Sequence, residues 1–125
     1  MAATNSVTGS ASSAVSFFQS KGWTKEQAAG IVGNLQTEST INMSPTAVGD
    51  GGQAYGIAQW HPDRQANFQK QYGFPIQQAT QQQQLEFVNY ELTQGTEKSA
   101  GNKLRATTTA GDAAAVVDKY LSLIH

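Results

Sequence analysis

Residues 45–60 constrain the fold most, because they interrupt a chain whose apolar residues otherwise recur at helical spacing. Within this segment, Ala47-Val48 and residues 53–57 flank the Gly-rich run 49–52. Short strand-like runs on either side of a Gly-rich turn are typical of a β-hairpin. The sequence therefore predicts an α+β domain that is mostly α-helical and carries one small β-hairpin.

Six helices are predicted around this hairpin from apolar spacing, N-terminal caps and Gly or Pro end signals. Their expected ranges are 11–20, 24–39, 62–72, 76–93, 96–105 and 109–125. The Gln-rich stretch 77–84 in the fourth helix is interpreted as a solvated face. Residues 1–10 are small and polar, which predicts a flexible lead-in before a domain at residues 11–125. The last helix has no stop signal before His125, a pattern compatible with a piece of a longer chain.

Composition excludes several classes of protein. The chain has 125 residues, the size of one compact domain, and no cysteine, so disulfides, thiolate metal sites and a cysteine nucleophile are excluded. A net charge of −1 argues against a nucleic-acid partner. No apolar run reaches the roughly 18 residues of a membrane span, and the first residues do not resemble a secretory signal. His61 and His125 are far apart in sequence, with no ligand cluster, so we expect neither a metal nor another cofactor.

Glu38 stands out by its position on the second predicted helix. It lies seven residues after Ile31 and three after Leu35, so it continues the apolar stripe of that helix. It also lies in the last turn, at the negative end of the helix dipole. Burial and the dipole both disfavour a carboxylate, and a protonated carboxyl is what a general acid requires. On spacing alone, a partly exposed glutamate at a helix end remains an open alternative.

Four groups of residues together resemble a known family. They are residues 30–39, with Glu38-Ser39 at their end, Asn42, residues 45–50 and residues 55–60. In this order they look like the phage tail lysozyme family, virion-associated peptidoglycan-cleaving domains of the lysozyme-like superfamily. More loosely, Glu38-Ser39 and residues 56–59 are similar to the Glu-Ser and Gly-Leu-Met-Gln signatures of lytic transglycosylases and goose-type lysozymes. The match covers about residues 15–72 and implies a single lysozyme-like domain with the hairpin next to the catalytic helix.

The resemblance implies that Glu38 is the catalytic acid. It would protonate the glycosidic oxygen between N-acetylmuramic acid and N-acetylglucosamine, because an alkoxide is a poor leaving group. Asp50, the acid of the hairpin, is expected to be the second catalytic residue, stabilising positive charge or holding a water. The alternative is an ordinary Asp-Gly turn. Asp63 is the other candidate for this role, but its place after Pro62 is typical of a helix start.

The same resemblance implies a set of substrate-binding residues. Tyr55, Gln59 and Trp60 match the second signature, and Ser39 is placed to orient Glu38. The alternatives are hairpin and core packing for the first three, and a bond to its own helix backbone for Ser39. His61 is next to this group, where it is either a base or a helix cap.

The function expected from the residues and the resemblance is a peptidoglycan hydrolase of the muramidase type, a glycosidase. Two alternatives stay open: a lytic transglycosylase that uses Glu38 alone, and a non-catalytic glycan-binding module of a phage tail. The expected partners are bacterial cell-wall peptidoglycan and, in a longer chain, other tail or virion proteins. We expect a monomer as an isolated domain. A domain carried on a virion needs no signal peptide of its own to reach the wall.

Overall fold

A computed structural model of the chain describes residues 10–125. Across these residues the fold is 66% helical, with six α-helices and one two-stranded antiparallel sheet. This confirms the predicted, mostly helical α+β class. The expected lead-in, apart from Ser10, lies outside the described residues. The elements in chain order are α1 (Ala11–Ser20), α2 (Lys25–Glu38), β1 (Val48–Gly49), β2 (Ala54–Tyr55), α3 (Pro62–Tyr72), α4 (Gln81–Thr93), α5 (Lys98–Arg105) and α6 (Ala110–Ile124).

Local signals in the sequence set several helix ends. Thr24 and Gln27 form a reciprocal capping box, in which each side chain accepts a hydrogen bond from the backbone N–H of the other residue. Pro62 opens α3, and Gly73 ends it in the left-handed conformation with φ of 84°. The predicted ranges of α1 and α3 are therefore confirmed, and α2 ends at Glu38 as expected within two residues.

The predicted start of the fourth helix is wrong. Residues Ile76–Gln78 form a short 3-10 turn, and α4 begins only at Gln81. Thr80 is extended, and its side chain forms a second capping box with Gln83. This cap satisfies the first N–H groups of a new helix, so it separates α4 from the preceding turn.

The interpretation of the Gln-rich stretch as a solvated face is also wrong for Gln81 and Gln84, which are both buried. Gln84 accepts a hydrogen bond from the Ile57 N–H through Oε1 and donates one to the Pro45 carbonyl through Nε2, each at 2.9 Å. Gln81 donates to the carbonyls of Asn42 and Met43. A primary amide both donates and accepts, so it can satisfy backbone groups of an irregular segment that has no strand partner.

The hairpin packs beside these glutamines. Val48 pairs with Tyr55, and Gly49 pairs with Ala54, around the turn Asp50–Gly52. After β2, Tyr55 also exchanges two backbone hydrogen bonds of 3.0 Å with Trp60. The predicted hairpin is confirmed, and it is closed on one side by a tight return of the chain toward α3.

Close packing of α2 against α6 brings the ends of these two helices together. A Cβ on Gly30 would lie 2.8 Å from the Ala114 backbone nitrogen, so only glycine permits this approach. Further along α2, Asn34 donates to the Ala114 carbonyl at 3.0 Å, and Glu38 reaches His125. Near the start of α2, Gln27 donates to the Thr107 carbonyl just before α6 begins, so α2 and α6 run in the same direction and end side by side.

Candidate active site

An open cleft of about 470 Å³ lies where α2, the hairpin and α6 meet. Its lining residues are Glu38, Asp50, Ala54, Gln59, His61 and His125. The two carboxyl groups singled out in the sequence are therefore brought to one surface, together with both histidines of the chain. The cleft is polar and open to solvent, so it can admit a chain-like substrate from the side.

Glu38 is the last residue of α2, and its side chain is 23% exposed. Its Oε1 lies 2.9 Å from Nε2 of His125. The same nitrogen lies 3.2 Å from the carbonyl oxygen of Ala58. A carbonyl oxygen only accepts hydrogen bonds, so we assign the ring hydrogen to Nε2, from which it is shared between Ala58 and Glu38.

Asp50 faces Glu38's cleft from the tip of the hairpin, in the left-handed conformation with φ of 51°. Its side chain is 66% exposed, and its Oδ2 lies 2.9 Å from Nε2 of His61. His61 occupies the N-cap position of α3, but its side chain makes no capping hydrogen bond. The ring of His61 therefore holds Asp50 instead of the helix end.

The two histidines form neighbouring pairs with the two acids. The ring centroids of His61 and His125 are 6.0 Å apart. The sequence indicates a possible role for His61 because this residue follows the signature. For His125 it raises only metal binding. The approach of His125 to Glu38 depends on the parallel packing of α2 and α6, which no local pattern in the sequence indicates.

Comparison with known families decides what the chain is related to. A family model described as phage tail lysozyme matches residues 9–121, nearly the whole chain. The chain belongs to this family. Membership implies a peptidoglycan-cleaving enzyme in a phage tail, and so association with the virion. The search of solved structures found no match.

In this family member, Gln59 supports the cleft from below. It is buried, with a positive φ of 54°. Its Nε2 donates to the carbonyls of Ala47 at 3.0 Å and Gly56 at 2.9 Å. Its Oε1 occupies the space that a Cβ on Gly49 would need, so a larger residue at position 49 would displace the Gln59 amide. These contacts fix the base of the hairpin that carries Asp50.

Trp60, expected to bind substrate, lies in the core of the tail lysozyme domain. Its side chain is fully buried, and its Nε1 donates to Oε1 of Glu91 at 2.8 Å. An indole with no exposed surface cannot contact a glycan in the cleft, so this expectation is corrected. Trp60 follows Gln59, which lines the cleft, but the side chains of these two adjacent residues point to opposite sides. The position of Trp60 in the sequence therefore does not place it in the cleft.

The remaining candidates are placed at the margins of the site. Tyr55 is half-buried against the core and is not among the residues lining the cleft, and burial raises its pKa. Ser39 donates through Oγ to the Leu35 carbonyl at 2.8 Å. This is the hydrogen bond to its own helix backbone that was the alternative prediction for Ser39. Asp63 is exposed in the first turn of α3 and lies 3.5 Å from Nε of Arg64, outside the cleft.

Another acidic residue, Glu91 of α4, lies inside the domain and is surrounded by polar side chains. Its side chain accepts hydrogen bonds on Oε1 from Trp60 and, at 2.6 Å, from the hydroxyl of Tyr120. Its Oε2 has no hydrogen-bond partner and lies 3.9 Å from Nη1 of Arg64. Burial raises the pKa of Glu91 to about 7, although the hydrogen bonds from Tyr120 and Trp60 and the charge of Arg64 oppose this.

Two further properties concern the described part of the chain alone. Within residues 10–125, the cleft and its surroundings contain no group of three or more acidic or histidine side chains arranged to hold a metal ion. In the same range, none of the helices combines the length and the apolar character of a membrane-spanning segment.

Proposed function

We propose that the chain is a muramidase that hydrolyses the β-1,4 bond between N-acetylmuramic acid and N-acetylglucosamine, with Glu38 as general acid. The observation that carries this proposal is the meeting of Glu38 and Asp50 in one open cleft of a tail lysozyme family member. Glycoside hydrolysis requires one group that protonates the leaving oxygen and a second that supports the developing positive charge or activates a water.

The environments of the two acids support different roles. Glu38 is partly buried at the C-terminal end of α2, where its side chain lines the cleft and one of its oxygens contacts His125. Asp50 is largely exposed at the tip of the hairpin, where a water or a developing positive charge can approach it. In the proposal, Asp50 stabilises the oxocarbenium-like transition state or activates the attacking water. Gln59 positions the hairpin, while Tyr55 and Ser39 support the cleft from its margin.

A lytic transglycosylase that uses Glu38 alone is the second candidate. The observation that favours it is the pairing of Asp50 with His61, which occupies one of its two oxygens. Mass spectrometry of the soluble products separates the two reactions. Hydrolysis adds a water to each cleaved strand, whereas transglycosylation leaves an anhydro sugar. An anhydro product, together with full activity of Asp50→Asn, would replace the muramidase proposal with the transglycosylase.

The test of the acid is the variant Glu38→Gln in a turbidity assay on purified cell walls. Glutamine keeps the shape of the side chain but cannot donate a carboxyl proton, so we expect cleavage to fall about 10²-fold or more. Glu26→Gln is the matched control, because Glu26 is exposed in the first turn of the same helix. We expect Glu26→Gln to clear walls like the parent.

Two outcomes would contradict the proposal. Activity of Glu38→Gln within a few-fold of the parent would remove Glu38 from the mechanism. A parent protein that binds purified walls in a sedimentation assay but releases no fragments would instead favour a non-catalytic glycan-binding module of the tail.

A further inference from the structure

The Glu38 carboxyl meets a side chain from the far end of the described chain, His125, which follows α6 directly. We propose that His125 is a positioning residue for Glu38: it determines which oxygen carries the acid proton and stabilises the carboxylate formed when that proton leaves. This inference rests on the proposed role of Glu38 as general acid, and it adds a residue that neither the family match nor the signatures include. The family match ends at residue 121.

One nitrogen of the imidazole, Nε2, contacts two oxygen atoms. This nitrogen lies 3.2 Å from the carbonyl oxygen of Ala58, a fully buried residue between β2 and α3. The same nitrogen lies 2.9 Å from Oε1 of Glu38. Because the Ala58 oxygen belongs to the backbone and can only accept, it fixes both the tautomer and the orientation of the ring. The Nε2–H is therefore shared between the Ala58 carbonyl and Glu38 before any substrate binds.

This arrangement assigns different tasks to the two oxygens of Glu38. Oε1 accepts the hydrogen bond from His125, so the proton of the neutral carboxylic acid belongs on Oε2. In the reaction, that proton moves from Oε2 to the glycosidic oxygen, and the electron pair of the breaking C–O bond stays on this oxygen. The anomeric carbon becomes positive, and Glu38 becomes a carboxylate.

The contact with His125 strengthens during this step. A hydrogen bond from an N–H to a carboxylate is roughly twice as strong as one to a neutral carboxyl. An interaction that is stronger in the transition state than in the ground state lowers the barrier, whereas an equal one affects only binding. His125 therefore acts mainly on kcat, through the charge that develops on Glu38.

The experiment measures kcat and KM of the parent and of His125→Ala on soluble peptidoglycan fragments. We expect kcat to fall about tenfold or more with KM nearly unchanged. Imidazole added to the assay should restore part of the loss, because the removed ring faces the open cleft. Leu123→Ala is the matched control, an exposed side chain on the same helix, and we expect parent activity from it. Thermal melts establish that each variant is folded.

His125→Gln keeps the inference testable if the alanine variant unfolds. Its side-chain amide retains an N–H donor, so we expect it to keep more activity than an equally folded His125→Asn, whose shorter side chain does not reach Oε1. A signature independent of turnover is the Nε2–H proton of His125 in NMR spectra. We expect it to move downfield in the parent when a rise in pH converts Glu38 into a carboxylate, because that hydrogen bond is stronger, and we expect no such movement in Glu38→Gln.

The outcomes separate the two claims. A folded His125→Ala with parent kcat, or an Nε2–H resonance that responds to pH in the same way in the parent and in Glu38→Gln, overturns the positioning role while the muramidase proposal stands. A parent protein that cleaves no glycan overturns both. A kcat loss with imidazole rescue, in a protein whose Leu123→Ala variant is normal, supports the inference, since a purely structural defect would not respond to free imidazole.

Discussion

Glu38 and Glu91 are two glutamates that each accept a hydrogen bond from a ring N–H of another element, His125 in one case and Trp60 in the other. Glu38 lies in an open cleft with a single imidazole partner. Glu91 is 2% exposed and ties the end of the hairpin to α6 through Trp60 and Tyr120. The same side-chain chemistry therefore serves a surface cleft in one place and the interior packing in another.

The difference shows that a strongly perturbed pKa does not by itself locate the site. Burial raises the pKa of Glu91 to about 7, which is the range of many catalytic acids. Yet the Glu91 side chain is almost fully buried, and it lies outside the cleft that holds Glu38 and Asp50. What distinguishes Glu38 is its place in an open cleft combined with a partner that contacts only one of its two oxygens.

The largest expected difference between the two glutamates is in the pH dependence of the free energy of unfolding, which the substitution Glu91→Gln should change. Because the folded pKa of Glu91 lies near 7 and its ordinary value is 4.5, the unfolded chain releases the proton first as the pH rises. The stability that this group contributes is complete below about pH 4.5 and is lost as the pH passes through about 7. The loss is on the order of 3 kcal/mol, since each pKa unit corresponds to about 1.4 kcal/mol.

Urea unfolding of the parent and of Glu91→Gln at several pH values between 4 and 8 measures this slope. We expect the parent to lose stability relative to the variant over that interval, while wall cleavage by the variant stays within a few-fold of the parent. Parallel pH profiles for the two proteins would show that Glu91 is charged in the fold. A loss of cleavage as large as that of Glu38→Gln would end the distinction between the two residues.

Gln84→Ala tests whether the cleft is held from the interior side. The substitution removes two buried hydrogen bonds and leaves the Ile57 N–H and the Pro45 carbonyl without a protein partner. We expect a loss of about 2 kcal/mol in the free energy of unfolding. Gln82→Ala, at an exposed position of the same helix, is the control and should cost less than about 0.5 kcal/mol. Equal melting curves for the two variants would refute the support role of Gln84.

The smallest expected effect comes from Trp60→Phe. The ring remains apolar, but the donor to Glu91 is lost, so we expect a destabilisation of about 1 kcal/mol. KM for soluble glycan fragments should stay unchanged, because the indole has no surface in the cleft. A several-fold rise in KM at full stability would return Trp60 to the substrate-binding residues and weaken the separation of cleft from interior.

Local chemistry accounts for what could be predicted from the sequence. The capping box of Thr24 and Gln27, the Pro62 start of α3 and the Gly-rich hairpin each depend on residues within a few positions of one another. The family match confirms the resemblance found in the motifs around Glu38-Ser39 and residues 56–59. Short-range signals of this kind determine backbone conformation before any tertiary contact exists.

Long-range contacts account for what could not be predicted. In the sequence, Gln84 belongs to a polar run that predicts an exposed position. It is buried because the fold brings it against Pro45 and Ile57. His125 has no pattern that links it to Glu38 until α2 and α6 are known to lie in parallel. Trp60 matches a signature next to cleft residues, yet the return of the chain at Tyr55 turns its ring inward.

The parallel packing of α2 and α6 has a consequence for how the cleft comes into existence. The contact between Asn34 and Ala114 joins positions 80 residues apart, and it lies on the route to the contact between Glu38 and His125. Pairing across such separations forms late, since the entropy of closing a long loop is lost before the contact is gained. A partly folded chain, with α1 to α5 formed and α6 undocked, therefore holds Glu38 without its imidazole and without one side of the cleft. Under the proposed mechanism, we expect refolding followed by activity to lag behind refolding followed by helix content.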